Sequence, residues 1–339
     1  MSPRPLVAVS RTVLTARPTT RTMRAAVIAG PQAMEIEHLK IPEPGTGEVR
    51  VRLEGCGVCG SSLPLWEGRP WFHYPTAPGE PGHEGWGVID AIGEGVTSLT
   101  IGDRVAVLSY RAHAEYDVAN ATAIIPLPEN LADLPFPGEP LGCAMNAFHR
   151  SNIQPGDTVA IVGIGFLGAL LTRLASSAGA RTIAISRRPF ALDLARELGA
   201  EATIPLDNHE RVVAEVQRLT AREGADIVIE AIGLQAPLEL AAELTRIRGR
   251  LVIVGYHQDG PRQINLQLWN WRGLDVINAH EREPARYVEG IRDAVQAVIG
   301  GRLDPARLYT HRFNLDQLDE AFEAMRERPD GFLKALVLT

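Results

Sequence analysis

Two short segments carry residue types that suit a metal ion. The first is Gly55-Cys56-Gly57-Val58-Cys59-Gly60-Ser61, and the second, after a stretch rich in proline and glycine, is Gly82-His83-Glu84-Gly85. A thiolate, an imidazole and a carboxylate together can hold zinc and leave one position open for an exchangeable ligand. A third segment, Gly163-Ile164-Gly165-Phe166-Leu167-Gly168, has the glycine spacing of a dinucleotide-binding turn. Zinc beside a nicotinamide is the pairing that interconverts alcohols and carbonyls.

The elements around these segments fall into two patterns, and the fold class they predict is α/β. From Met23 to about Thr122 the signals are mostly β. Short apolar or alternating runs cover Ala25 to Ile28, Val49 to Leu53, Arg104 to Leu108 and Ala114 to Val118, with glycine and proline clusters between them. That spacing predicts a compact barrel-like β domain. Near Glu139 the apolar period becomes helical. From Asp157 strand and helix alternate: Thr158 to Val162, then a helix over Phe166 to Ser177; Thr182 to Ile185, then a helix over Pro189 to Leu198; and strands at Asp226 to Ile229 and Arg250 to Val254, each preceded by a helix. This is the rhythm of a doubly wound parallel sheet. Helices over Val288 to Ile299 and Leu315 to Arg326 and a closing strand over Leu333 to Leu338 complete the reading.

The glycine segment follows a predicted strand and opens a predicted helix, which is the context that gives the motif meaning. Gly163 permits the tight turn, Gly165 lets the backbone approach a pyrophosphate, and Gly168 allows the helix to pack closely on the strand. The N–H groups of the helix start, at Phe166 and Leu167, then face the phosphates. At the end of the second strand an NAD site usually has an acidic residue for the ribose hydroxyls. This chain has Ser186-Arg187-Arg188 there. No carboxylate repels a 2′-phosphate and two guanidiniums stand ready for it, so NADP(H) is expected over NAD(H).

These pieces, with Gly102-Asp103-Arg104-Val105, Ala114-Glu115-Tyr116 and Glu139-Pro140-Leu141, resemble the zinc-dependent medium-chain alcohol and polyol dehydrogenases, in order and spacing, from Met23 to the C-terminus. The resemblance implies a GroES-like β catalytic domain over residues 23–147 and 281–339, interrupted by a Rossmann domain over residues 148–280, with the active site in the cleft between them. It implies zinc ligands at Cys59 and His83, with Glu84 a ligand or an exchanging neighbour that also serves catalysis. Glu139 falls at the remaining ligand position, in the Glu-Pro-Leu form of the sorbitol and sugar branch. Cys143, one helical turn on, falls where the family contacts the nicotinamide, with completion of a Cys₂His site as the alternative. Ser61 would take the proton from the substrate hydroxyl and relay it outward while the alkoxide passes hydride to the cofactor.

Two departures from the family stand out. The Asp that usually follows this Ser and orients the zinc-binding imidazole is replaced by Ser62, which supports a ligand less. With three cysteines in the chain, the four-cysteine lobe of a structural zinc is not expected, only one catalytic zinc. Cys56 reads as a small buried residue. His73, His113 and His257 read as surface or structural. Trp66, Trp71, Phe72 and Tyr74 either wall a pocket beside the zinc or serve as core. The substrate implied is a secondary alcohol of polyol, cyclitol or sugar type. Two other readings stay open: a zinc-free quinone or enone reductase of the same fold, and a nucleotide-binding protein without catalysis.

The bulk properties agree with a globular chain of two domains. The 339 residues are 45% apolar and 22% charged, with a net charge of −7. That charge makes no electrostatic case for nucleic acid or an anionic membrane. Few cysteines point to a reducing compartment, read as the cytoplasm. Residues 1–22 carry Arg4, Arg11, Arg17 and Arg21 and no acidic residue. They read as a disordered extension or an early start, though their composition also resembles a transit peptide. The resemblance further implies a homodimer or homotetramer.

Overall fold

The computed structural model describes residues 21–339. The expected N-terminal extension lies outside that range except at its end, where Thr22 already opens a strand. β1 (Thr22–Gly30) and β2 (Ala33–Lys40) form an antiparallel ribbon. There follow β3 (Glu48–Gly57), the short helix α1 (Leu63–Glu67), β4 (Gly85–Ile92), β5 (Arg104–Val107), β6 (Tyr116–Asn120), β7 (Ile124–Pro126) and α2 (Gly138–Ser151). Strand and helix then alternate through β8 (Thr158–Val162), α3 (Phe166–Ser177), β9 (Arg181–Ser186), α4 (Pro189–Glu197), β10 (Ala202–Pro205), α5 (His209–Leu219), β11 (Ala225–Glu230), α6 (Gln235–Leu244), β12 (Thr245–Ile253), α7 (Leu266–Arg272) and β13 (Asp275–Asn278). The chain closes with α8 (Pro284–Ile299), β14 (His311–Asn314), α9 (Leu318–Glu327) and β15 (Ala335–Leu338).

The strands from β8 to β13 form one parallel sheet in the order β10-β9-β8-β11-β12-β13. Counted along the chain this is 3-2-1-4-5-6, the doubly wound order, with a crevice where the direction reverses between β8 and β11. Helices cover both faces, so the strands are apolar throughout. Ile161 and Ile229 pack with Leu141, Leu170 and Ile291 on one face. Their neighbours Ala160, Val162 and Val228 pack with Val212, Val216 and Leu240 on the other.

A second, seven-stranded sheet contains β14, β15, β3, β4, β5 and β7 in that order, with β6 also on β3. β3 is its spine: Val49, Val51 and Leu53 are buried, while Arg50 and Arg52 turn outward. Cys56 of β3 pairs with Gly85 of β4 on one side and Val337 of β15 on the other. This register positions the site. Cys59 comes just after the β3 residues of that pairing and Glu84 just before β4, so the ladder sets the two ligand segments side by side. It also brings the end of the chain against them.

The expected elements shift where side chains find better partners. The closing strand begins at Ala335 rather than Leu333, and Lys334 turns inward, 4% exposed. The helix expected from Leu315 opens with a 3₁₀ turn, Leu315–Gln317, closed by a capping box between Asn314 and Gln317. β12 begins before the expected Arg250 because residues near Arg248 (φ 57°) form an irregular step in its pairing with β11. Ala114 contributes only a bridge to Ala25, ahead of β6. Among the described residues no helix is long and apolar enough to cross a membrane.

Candidate active site

Cys59, His83 and Glu84 offer a sulfur, a ring nitrogen and a carboxylate oxygen within 4.8 Å of one another. His83 Nδ1 lies 2.8 Å from the Pro81 carbonyl, which can only accept, so Nδ1 carries a hydrogen and Nε2 is the nitrogen left to face a metal. The imidazole is oriented by a backbone carbonyl two residues earlier, and Ser62 is buried in the turn after Cys59. Ser61 Oγ donates to Cys59 Sγ at 3.2 Å. Burial works against a charged His83, but Cys59, and then Glu139 and Glu84, hold its pKa well above the usual histidine value, so a metal bound there would displace a proton from the ring. Such a pocket concentrates negative charge and suits a cation.

Glu84 is fully buried and faces Lys334, whose ammonium lies 2.7 Å from Oε1 and 2.5 Å from Oε2. The directed bond goes to Oε1, and Oε2 is left without one. Nζ also donates to the Val58 carbonyl at 2.9 Å. Burial disfavours the ammonium, but Glu84 and then Cys59 outweigh it, so Lys334 titrates above an ordinary lysine. The carboxylate sits in a cradle that only glycine leaves open: a Cβ on Gly57 would lie 1.9 Å from Glu84 Oε2. A buried carboxylate, an imidazole whose Nδ1 is taken up by Pro81 and a cysteine sulfur, gathered within 4.8 Å, form a donor set that fits zinc with an open position.

Glu139, in the first turn of α2, stands apart from this trio. Its Oε1 accepts from Tyr287 at 2.6 Å and from Cys143 Sγ at 3.3 Å. Cys143 also lies 3.1 Å from the Tyr287 hydroxyl. Burial, and then Glu139, push the Cys143 thiol well above its usual pKa, so it stays protonated as a donor. Tyr287 comes from α8, and nothing in the local sequence marks it as a partner of Glu139.

The glycine turn sits at the switch point of the parallel sheet. Gly163 has φ +104°, which L side chains rarely adopt. A Cβ on Gly165 would meet open space, where a phosphate has room. A Cβ on Gly168 would lie 2.0 Å from the Gly163 carbonyl, so α3 packs this closely on β8 only with glycine. Phe166 stacks on Tyr309, Lys334 Nζ stands 5.1 Å from its ring centre, and Leu167 packs against the core. Ser186 closes β9, and its Oγ accepts from the Arg188 N–H at 3.3 Å. Arg187 is exposed. Arg188 is already engaged, donating to the carbonyls of Phe332 and, at 3.2 Å, Ile164.

Further residues enter the cleft from the end of β12. Gln258 donates to the Gly60 carbonyl at 3.3 Å, reaching across the cleft to the residue after Cys59. Behind it, the buried Glu230 accepts from the N–H groups of Ile232 and Gly233, both at 2.7 Å. His257 bridges Glu230 (3.1 Å) and Arg262 (2.9 Å), which gives the structural reading of His257 its content. Of the aromatic group, Trp66 is core, stacked on Phe322 and donating to Asp319 at 2.7 Å. Tyr74 packs beside it and donates to the Leu65 carbonyl. Trp71 is half-exposed against Phe72. Tyr110, which sequence reasoning missed, is exposed with its ring 6.0 Å from that of His83.

Residues 45–129 match the family described as alcohol dehydrogenase GroES-like domain, and residues 167–295 that described as zinc-binding dehydrogenase. An alcohol dehydrogenase of Moraxella sp. (strain TAE123) is 31% identical over 267 residues, 69% of this chain and 77% of that one. A sorbitol dehydrogenase of Halalkalibacterium halodurans is 28% identical over 319 residues, 84% of this chain and 90% of that one. A zinc-binding dehydrogenase of Sinorhizobium meliloti 1021, solved bound to NADP, superposes with a TM-score of 0.80 at 26% identity, covering 94% of this chain and all of the other. The chain belongs to the zinc-dependent medium-chain alcohol and polyol dehydrogenases, enzymes that exchange hydride between a nicotinamide and an alcohol or its carbonyl.

Proposed function

We propose that this enzyme transfers hydride between NADP(H) and a secondary alcohol or its ketone, with a polyol, cyclitol or sugar as substrate. The observation that carries the reading is the convergence of Cys59, His83 and Glu84 within 4.8 Å, with the Ser61 hydroxyl on Cys59 Sγ. Cys59 and His83 would hold one catalytic zinc. Glu84 would join through its carboxylate, in competition with Lys334, and Glu139 through the oxygen that Tyr287 and Cys143 leave free. When bound, zinc supplies Lewis acidity that lowers the pKa of a substrate hydroxyl. Ser61 Oγ takes the proton from that hydroxyl and passes it outward. Gly163, Gly165, Phe166, Leu167 and Gly168 seat the pyrophosphate, Cys143 lies at the nicotinamide, and Ser186, Arg187 and Arg188 mark the ribose end. The Glu139-Pro140-Leu141 form and the sorbitol dehydrogenase relative favour the polyol class. The NADP-bound relative and the absence of an acidic residue at Ser186-Arg187-Arg188 favour NADP(H).

The same reading takes residues 23–147 and 281–339 as the catalytic domain and 148–280 as the cofactor domain. It places the enzyme in the cytoplasm, its three cysteines free, as a homodimer or homotetramer. Elemental analysis of purified protein, followed by reduction of NADP and NAD with a panel of polyols and simple secondary alcohols, tests it. About one zinc per chain and faster turnover of polyols with NADP are expected. Folded protein without zinc, or faster turnover with NAD, would overturn the respective part.

A further inference from the structure

The arginine pair at the end of β9 has a third member from the other side of the cleft. Arg328 ends α9 in the left-handed conformation, φ 48°, its N–H bonded to the Ala324 carbonyl at 2.9 Å. That conformation throws the chain into a turn in which the Phe332 N–H returns to the Pro329 carbonyl at 2.9 Å. The Phe332 carbonyl in turn accepts from Arg188, which also donates to Ile164 inside the glycine turn. Arg188 therefore pins the segment that starts at Arg328 onto the cofactor-binding end of the parallel sheet. Arg328 keeps a surface position, though its guanidinium is partly enclosed, and among the described residues its side chain makes one hydrogen bond, a long one of 3.4 Å from Nε to the Met325 carbonyl.

The bonds from Arg188 to the carbonyls of Phe332 and Ile164 set the turn that Arg328 opens beside the end of β9. Burial lowers the pKa of Arg188, and Arg328 lowers it further; burial lowers that of Arg328, and Arg187 adds to it. Asp330 is the acidic group that offsets this at Arg188. Like charges that outnumber the carboxylates near them raise the energy of the free protein, and a dianion placed among them relieves it.

We propose that Arg328 is a specificity-determining residue that reaches across the cleft to the 2′-phosphate of NADP(H), sharing it with Arg187 while Arg188 holds the two segments together. This rests on the NADP(H) reading above. It adds that the cofactor domain does not select the phosphate alone. The arm that follows α9 takes part, so recognition of the 2′-phosphate and the fit between the two halves are linked.

The test uses adenosine 2′,5′-bisphosphate and adenosine 5′-monophosphate as probes, titrated calorimetrically into the full chain. They report on the phosphate without chemistry at the metal. Arg328→Asn suits the left-handed backbone and removes the charge. It is expected to weaken the bisphosphate by roughly tenfold, the value of one charged hydrogen bond, and to leave the monophosphate within about twofold. Arg328→Lys, which keeps a charge at the same place, should recover part of the loss. If wild type prefers the bisphosphate and Arg328→Asn keeps that preference undiminished, the inference falls and the NADP(H) reading stands. If wild type does not distinguish the two probes, the NADP(H) reading falls and the inference with it. A role for Arg328 only as a cation at the end of α9 would lower the melting temperature and leave the ratio of the two affinities unmoved, which also overturns the proposal.

Discussion

At the scale of single residues the metal site depends on a missing methyl group as much as on its ligands. Glu84 reaches the cleft because Gly57 has no Cβ to stand 1.9 Å from its Oε2 and 3.1 Å from the Lys334 stem. Gly57→Ala forces that carboxylate or its strand to move. We expect the variant to lose most of its zinc by elemental analysis and about 2 kcal/mol of stability in urea unfolding, in the range of overpacked interiors. Retained zinc and an unchanged midpoint would refute this. Ser61→Ala should do the reverse, leaving zinc content intact while turnover drops about a hundredfold, the lower range for losing a proton acceptor. Unimpaired turnover would remove Ser61 from the relay. Cys59, His83 and Ser61 were legible in the sequence because each lies in a short glycine-framed turn. Lys334 and Tyr287 were not, because they meet Glu84 and Glu139 across 250 and 148 positions of chain. Only the folded ladder brings them together.

Secondary structure was legible where a period repeats and obscure where it is interrupted. β8, α3 and β9 follow the expected spans closely, since an apolar strand, a glycine turn and an amphipathic helix each leave a local signature. β10 and β13 are four residues each and lie at the sheet's edges, too short to carry a period. The end of β11 shows what an element contributes beyond its span. Glu230 gathers the turn after β11 through two N–H groups and the segment after β12 through His257 and Arg262. That segment carries Gln258 to Gly60. Glu230→Ala leaves two N–H groups and an imidazole without their acceptor, and we expect it to cost about 3 kcal/mol in urea unfolding. Glu230→Gln keeps an oxygen for the two N–H groups and should cost clearly less. Equal losses for the two variants would show that these bonds do not hold the segment.

Across the whole molecule, two halves that the sequence reads as separate patterns are fastened at the cleft by side chains. Lys334 faces Phe166, Arg188 holds Phe332, and Gln258 meets Gly60. Stability therefore belongs to the joined structure, and its dependence on acid can be traced to a buried group packed against α9. His113 is 2% exposed, its ring edge-on to Phe322 of α9, and its Nδ1 has no partner among the described residues. Burial, and then the proximity of His83, depress its pKa from 6.5 to about 3. Below pH 6.5 the unfolded chain takes up a proton that the folded chain refuses until about pH 3, so stability is lost as pH falls through that window. His113→Gln removes this term. Between these two values the wild type should lose stability more steeply than the variant, by up to about 1.4 kcal/mol per pH unit, the work of one proton. Urea unfolding of both proteins at the same metal content, from pH 7 down to about pH 5, reads the difference directly. Parallel pH profiles would mean that His113 is protonated in the folded protein and that the buried ring has found a partner for its charge.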